Sequence, residues 1–90
     1  MDEHYERMRA RLLEAVAEHE RGELDDAGLQ SSIEGARGAL DNAHSDVRQV
    51  LFEADVALEY IRFGHPDELE NYDKDAAVKR VRRNLREVLG

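Results

Sequence analysis

Hydrophobic residues recur three or four positions apart in four stretches of the chain, which is the spacing of an amphipathic α-helix. The first stretch covers roughly residues 3–21 and is followed by Gly22. Glycine readily adopts the left-handed conformation that ends many helices, so we predict that the first helix stops there. The predicted inner face of this helix consists of Tyr5, Met8, Leu12, Ala15, Val16 and His19.

The second predicted helix begins near Asp25 or Asp26, since either side chain can accept a hydrogen bond from the first turn. Its apolar face consists of Leu29, Ile33, Ala36 and Leu40. Three glycines interrupt this stretch, and each costs about 1 kcal/mol relative to alanine inside a helix. We interpret them as places where a neighbouring helix comes close. These glycines are Gly28, Gly35 and Gly38.

The third predicted helix starts with Ser45 as its N-cap and runs to about Phe63, where Gly64 and Pro66 stop it. A polar loop follows over residues 65–72, and Asp73 then caps a fourth helix. One side of this last helix carries the apolar residues Val78, Val81, Leu85, Val88 and Leu89.

Helix three carries two apolar stripes, which fall on opposite sides of a helical wheel. A surface helix needs only one such stripe. Helix three is therefore either sandwiched at the centre of the bundle or shows an apolar face to a partner or to a second copy. The main stripe contains Val47, Val50, Leu51, Ala54, Ala57, Leu58 and Ile61. The second contains Phe52, Val56 and Phe63, with Tyr60 beside them.

These patterns predict an all-α fold, a single compact bundle of three to four helices over residues 1–90 with helix three central. No stretch alternates with the period of a strand. The chain has no cysteine, so no disulfide is expected to contribute to its stability.

The chain carries 21 acidic and 13 basic residues, a formal net charge of −8. This charge disfavours nucleic acid and anionic membranes, and it favours a basic protein as the partner. Residues 1–70 carry 18 acids and 7 bases, whereas residues 71–90 carry 3 acids and 6 bases. We expect the basic side of the last helix to dock against acidic neighbours. The N-terminus resembles no signal peptide and no apolar run is long enough to span a bilayer, so a cytoplasmic protein is expected.

Few residues of the chain have the spacing of a catalytic or metal-binding motif. No two of the four histidines lie three or four residues apart, the spacing that places two metal ligands on one helical face. Asp41 and His44 have the spacing of a helical di-iron pair, but the second pair is missing. Ser45 begins a helix as the attachment serine of an acyl carrier does, yet it lies in His-Ser-Asp rather than Asp-Ser-Leu. We therefore predict no catalytic, cofactor or metal site; a small helical enzyme of the mutase kind would rest on size and fold alone.

The segment EHERGELDDAGLQSSIEGARGAL resembles a group of small uncharacterised bacterial helical proteins with a Gly-Glu-Leu turn between helices one and two. The residues that match are Gly22, Glu23, Leu24, Leu29, Ile33 and Leu40, together with Leu58, Glu59, Tyr60 and Ile61 in helix three. The tryptophans usual in that group are absent here. The resemblance implies a toxin-immunity or antitoxin type of protein, which binds and blocks a basic enzyme.

We therefore predict a non-catalytic protein-binding module, an immunity- or antitoxin-type inhibitor of a basic protein. The alternative is a homodimeric structural protein that covers the second stripe with another copy. The predicted partner-binding residues are an apolar anchor and an acidic rim: Phe52, Val56, Tyr60 and Phe63, with Glu53, Asp55 and Glu59. Asp55 also flanks the main stripe, where a charge ladder with Arg48 and Arg62 is expected.

Overall fold

All four predicted helices form in the computed structural model, which describes residues 3–64 and 73–90. The helices are α1 (Glu3–Glu20), α2 (Asp26–Ala39), α3 (Ser45–Glu59) and α4 (Lys74–Leu89). A π-helical segment, Tyr60–Gly64, continues α3. The described residues contain no strand, so the all-α prediction is confirmed. The predicted loop over residues 65–72, including Pro66, lies outside the described residues.

Local sequence signals set the helix ends. Asp25 Oδ1 accepts from the Gly28 N–H at 2.8 Å, and Asp73 Oδ1 accepts from the Ala76 N–H at 3.1 Å. Gly22 has a φ of +80°, and the amide N–H groups of Gly22 and Glu23 bond back to the carbonyls of the last turn of α1. This is the left-handed glycine stop that was predicted, and both aspartate caps are confirmed.

The cap of α3 was assigned wrongly. The N-cap is His44, whose Nδ1 accepts from the Asp46 N–H at 3.3 Å, and Ser45 is the first helical residue. The backbone of His44 is extended, with a ψ of 147°, so the chain enters the helix one residue earlier than a serine cap requires.

The helices pack as a ring, in which α1 and α3 each contact both α2 and α4. The predicted apolar faces of α2 and the main stripe of α3 point into the ring, where all but the half-buried Ala57 are buried. The core residues contributed by α1 and α4 are Leu12, Ala15, Val16, Val81, Leu85 and Leu89. The two most extensive contacts between helices are those of α3 with α2 and with α4, and α3 is central in this sense.

Two details of the predicted packing are wrong. Val88 is exposed, because it lies at the edge of the buried stripe in the final turn of α4. None of the described helices approaches Gly35 or Gly38, since a Cβ built at either position would meet no atom of residues 3–64 and 73–90 within 4 Å. A Cβ at Gly28 would meet the side chain of Leu24, which precedes α2 in the chain. The glycines of α2 therefore do not mark close helix–helix contacts.

Polar contacts join α1 to its neighbours. Arg86 donates to both carboxylate oxygens of Glu20, at 2.6 and 3.3 Å, so the basic side of α4 does dock on an acidic neighbour. His19 lies on the inner face of α1, as predicted, with its Nδ1 2.9 Å from Arg82 and its Nε2 2.7 Å from Asp26. A guanidinium only donates, so Nδ1 accepts and the Nε2–H donates to Asp26.

The Glu20–Arg86 contact should contribute to the unfolding free energy in a way that depends on pH. The hydrogen bond from Arg86, and then its charge, hold the pKa of Glu20 below its ordinary value. A lowered folded-state pKa contributes stability above the ordinary glutamate pKa, and that contribution is lost as the pH falls through the lowered one. We expect Glu20→Gln to be less stable than the wild type at pH 7 in urea unfolding, with the difference closing in acid.

The control for this prediction is Glu87→Gln, which removes a carboxylate of α4 that makes no ion pair within the described residues. Its unfolding free energy should track the wild type across the same pH range. A Glu20→Gln deficit that persists unchanged below the lowered pKa would show that Glu20 stabilises the fold without its charge.

Candidate protein-binding face

The second stripe of helix three lies on the outside of the ring. Phe52, Val56 and Phe63 are 49, 52 and 66% exposed, and Tyr60 beside them is half-buried. We call these four residues the outer face. The helices α2 and α4 pack against the flanks of α3, and none of the four described helices covers this side. The sandwiched interpretation of helix three is therefore wrong for the single chain, and the interpretation as an exposed apolar face stands.

The outer face spans a change in helix type. Phe52 and Val56 belong to α3, whereas Tyr60 and Phe63 belong to the π-helical segment that follows it. Helical geometry does continue through Phe63, as predicted, but the widened turn was not foreseen. Gly64 packs close to Tyr60, since a Cβ at this position would lie 3.0 Å from Tyr60 Cδ2. Single π-turns are frequent at functional sites.

An open groove of about 610 Å³ runs along one edge of the outer face, between α2 and the α3–π segment. Its apolar wall is formed by Val56, Tyr60 and Phe63. Its polar wall is formed by Gln30, Glu34, Asp55 and Glu59. The structure thus brings five of the seven predicted partner-binding residues, Asp55 among them, to one depression. Phe52 borders a separate hollow of about 300 Å³ together with Arg37 and Arg48.

Asp55 does not belong to an exposed acidic rim. It is only 9% exposed, because it points from α3 toward α2. Its Oδ2 accepts from Arg37 at 2.5 Å and its Oδ1 accepts from Gln30 at 2.9 Å. The ladder predicted along α3 is also wrong, since the cation paired with Asp55 comes from another helix and Arg62 donates to Gln30 instead.

Gln30 is a residue that the sequence interpretation missed. It is 3% exposed, and its amide nitrogen donates to Asp55 Oδ1 and to Glu59 Oε2, both at 2.9 Å. Its carbonyl oxygen accepts from Arg62 at 2.5 Å. Every buried polar side-chain atom of the described residues has a partner. Gln30 lies three residues before Ile33, and this helical spacing is the signal in the sequence that could have placed it beside the core.

Two arginines cover two rings of the outer face. The Arg37 guanidinium carbon lies 5.3 Å from the centroid of the Phe52 ring, and that of Arg62 lies 4.4 Å from the Phe63 ring. Both distances are within the range of a cation–π contact, roughly 6 Å. The sequence interpretation placed neither arginine at this face.

The remaining two acids flank the outer face on different sides. Glu59 is exposed at the groove and accepts from Gln30. Glu53 is exposed on the α4 side, near Arg80 and Asn84, and accepts from Gln49 at 3.1 Å. The predicted acidic rim therefore reduces to these two separated carboxylates, with Glu34 of α2 added at the groove.

Comparisons with protein-family models, curated proteins and solved structures give no match for this chain. Within residues 3–64 and 73–90, no three histidine, aspartate or glutamate side chains lie close enough together to hold a metal ion. None of the described helices combines the length and the apolar content needed to cross a membrane.

Proposed function

We propose that the protein is a non-catalytic binding module whose outer face docks on a basic partner protein. The observation that carries the proposal is the row of exposed large side chains on one side of α3 and the π-helical segment. Single exposed apolar residues are ordinary on a protein surface. A contiguous group of two phenylalanines and a valine, bordered by a tyrosine and a groove, is typical of an interaction surface.

The composition of the outer face supports a protein as the occupant. Interfaces are enriched in aromatic residues and arginine, and their strongest contributions come from anchors near the centre. Here Phe52 and Phe63 are each covered by an arginine. The groove beside Phe63 offers a depression into which a partner side chain can insert.

Charge supports a basic partner over a second copy. The net charge of −8 attracts a basic protein over long range and speeds its association, whereas it makes two copies repel. Close to the outer face the charges are nearly balanced, with four carboxylates against three guanidinium groups: Glu34, Glu53, Asp55, Glu59, Arg37, Arg48 and Arg62. The attraction therefore comes from the whole chain, and the contact itself is mainly apolar and aromatic.

An immunity- or antitoxin-type inhibitor is the class of protein that this arrangement suits. Such a protein acts by covering the surface of a basic enzyme, which requires affinity and fit but no catalytic group of its own. The resemblance over the Gly-Glu-Leu turn, Gly22 to Leu24, supports the same class.

The direct test is site-specific cross-linking in cells that naturally contain the protein. A photoreactive benzoyl-phenylalanine replaces Val56, at the centre of the outer face, and in a matched control it replaces Val88, an exposed valine of α4. We expect the probe at position 56 to capture one basic protein, less of it at high salt, and the probe at position 88 to capture none of it.

Three outcomes would overturn the proposal. A covalent product of twice 10.3 kDa from the position-56 probe would favour the homodimer. Equal capture by both probes would show that the captured protein does not recognise the outer face. No product at position 56 would show that nothing docks there.

A further inference from the structure

We infer that Asp55 and Gln30 are positioning residues, which hold two arginines over the phenylalanines of the outer face and so fix its shape before a partner arrives. The inference rests on the proposed function, since it concerns how the same face is prepared for binding. Two parallel chains of contacts carry it: Asp55 to Arg37 to Phe52, and Gln30 to Arg62 to Phe63.

The first chain begins at a buried carboxylate. Asp55 accepts from Arg37 across the α2–α3 contact, and the same guanidinium lies over the Phe52 ring. Arg37 is partly exposed, so water competes for its other donors. The carboxylate beneath it selects one position of the arginine, and that position is the one over the ring.

The second chain begins at a buried amide. Gln30 Oε1 accepts from Arg62, whose guanidinium lies over the Phe63 ring. The amide nitrogen of Gln30 is oriented by Asp55 and Glu59, which leaves its oxygen facing Arg62. Gln30 therefore connects the two chains, and Asp55 supports both.

An exposed aromatic side chain on a free helix loses rotamer freedom when a partner binds, which weakens affinity. A ring that an arginine already holds in one position loses less rotamer freedom when the partner binds. Removing either buried anchor should therefore lower the affinity by about two- to tenfold per ring. The residues that determine binding then include two that are almost fully buried.

The chain contains only two phenylalanines, Phe52 and Phe63, which allows a direct test on the free protein. Biosynthetic incorporation of 4-fluorophenylalanine gives two fluorine resonances, and Phe52→Leu and Phe63→Leu assign them. We expect Asp55→Asn to move the Phe52 resonance most of the way to its position in the urea-unfolded chain. Gln30→Met should move the Phe63 resonance in the same way.

If a variant of Asp55 or Gln30 fails to fold, variants of the two more exposed arginines test the same contacts. Arg37→Gln should act on the Phe52 resonance alone, and Arg62→Gln on the Phe63 resonance. Glu87→Gln is the control, since this exposed carboxylate lies on α4 and makes no ion pair within the described residues, and it should leave both resonances in place.

Fluorine resonances that stay in place in all four network variants would overturn the inference. So would equal movement of both resonances in the single-arginine variants, because a general loosening of the fold would give that result. The fluorine measurement uses the free protein, so a failure of the cross-linking test would not decide whether Asp55 and Gln30 position the arginines. Cross-linking to a basic protein with unmoved fluorine resonances would leave the proposed function intact and remove only the positioning role.

Discussion

Replacing Phe52 and Phe63 together with alanine is expected to weaken binding of the basic partner by at least about 30-fold, the effect of losing one interface hot spot of about 2 kcal/mol. Both rings are exposed in the free chain, so their loss removes contact area from the partner rather than from the core. The variant should remain folded, with an unfolding free energy within about 1 kcal/mol of the wild type, because it gives up two cation–π contacts and no buried group.

The affinity is measured by titration calorimetry against the protein that cross-links at position 56, and the folding stability by urea unfolding. Val88→Ala is the matched control, an exposed apolar residue on a different helix, and it should bind like the wild type. If the double variant is folded and binds with unchanged affinity, the outer face is not the docking surface.

We expect the largest loss of folding stability from truncating a buried side chain on the inner side of α3. Leu58 is fully buried between the flanking helices, and Leu58→Ala should lower the unfolding free energy by about 2–5 kcal/mol through lost burial and the cavity left behind. A chain of this size has a total stability of only about 5–13 kcal/mol. The melting temperature should therefore fall by about 10 °C or more.

Val56→Ala is the control for this prediction, two residues earlier on the opposite side of the same helix. It should change the unfolding free energy by less than about 0.5 kcal/mol, since its side chain is half in solvent. Thermal and urea unfolding of the two variants compare the two sides of α3 directly. Equal losses from both variants would mean that the inner and outer sides have been assigned wrongly.

The helices of this chain could be predicted because each depends on signals close together in the sequence. The apolar period of Leu29, Ile33 and Ala36 fixes which side of α2 is buried, and every one of them is buried. Asp25 and Asp73 cap the helices that follow them for the same local reason. The periodicity also revealed that helix three has a second stripe.

The candidate site was harder to predict, because its arrangement depends on contacts between residues of different helices. A helical wheel gives the direction of Asp55 but not the neighbour that meets it there. Asp55 at the edge of the main stripe could have faced water, and only the packing of α2 places Gln30 and Arg37 against it. For the same reason the wheel left open whether Phe52 and Phe63 were covered.

Short-range competition explains the smaller errors. Ser45 is a good N-cap by residue type, but the imidazole of His44, one position earlier, accepts from the Asp46 N–H and caps the helix instead. Gly35 and Gly38 suggested a close approach, yet α2 turns them toward solvent. The residue types indicate which alternative is more common, and the packing of the helices determines which one forms.

The mass of the purified protein in solution, measured by light scattering over a concentration series in moderate salt, tests most directly whether the outer face is free. We expect a monomer of 10.3 kDa at every concentration, because the net charge of −8 opposes self-association and leaves the outer face free for a basic partner. A dimer of twice that mass, persisting on dilution below the micromolar range and abolished by Phe52→Ala with Phe63→Ala, would contradict it. The outer face would then be the contact between two copies of this chain.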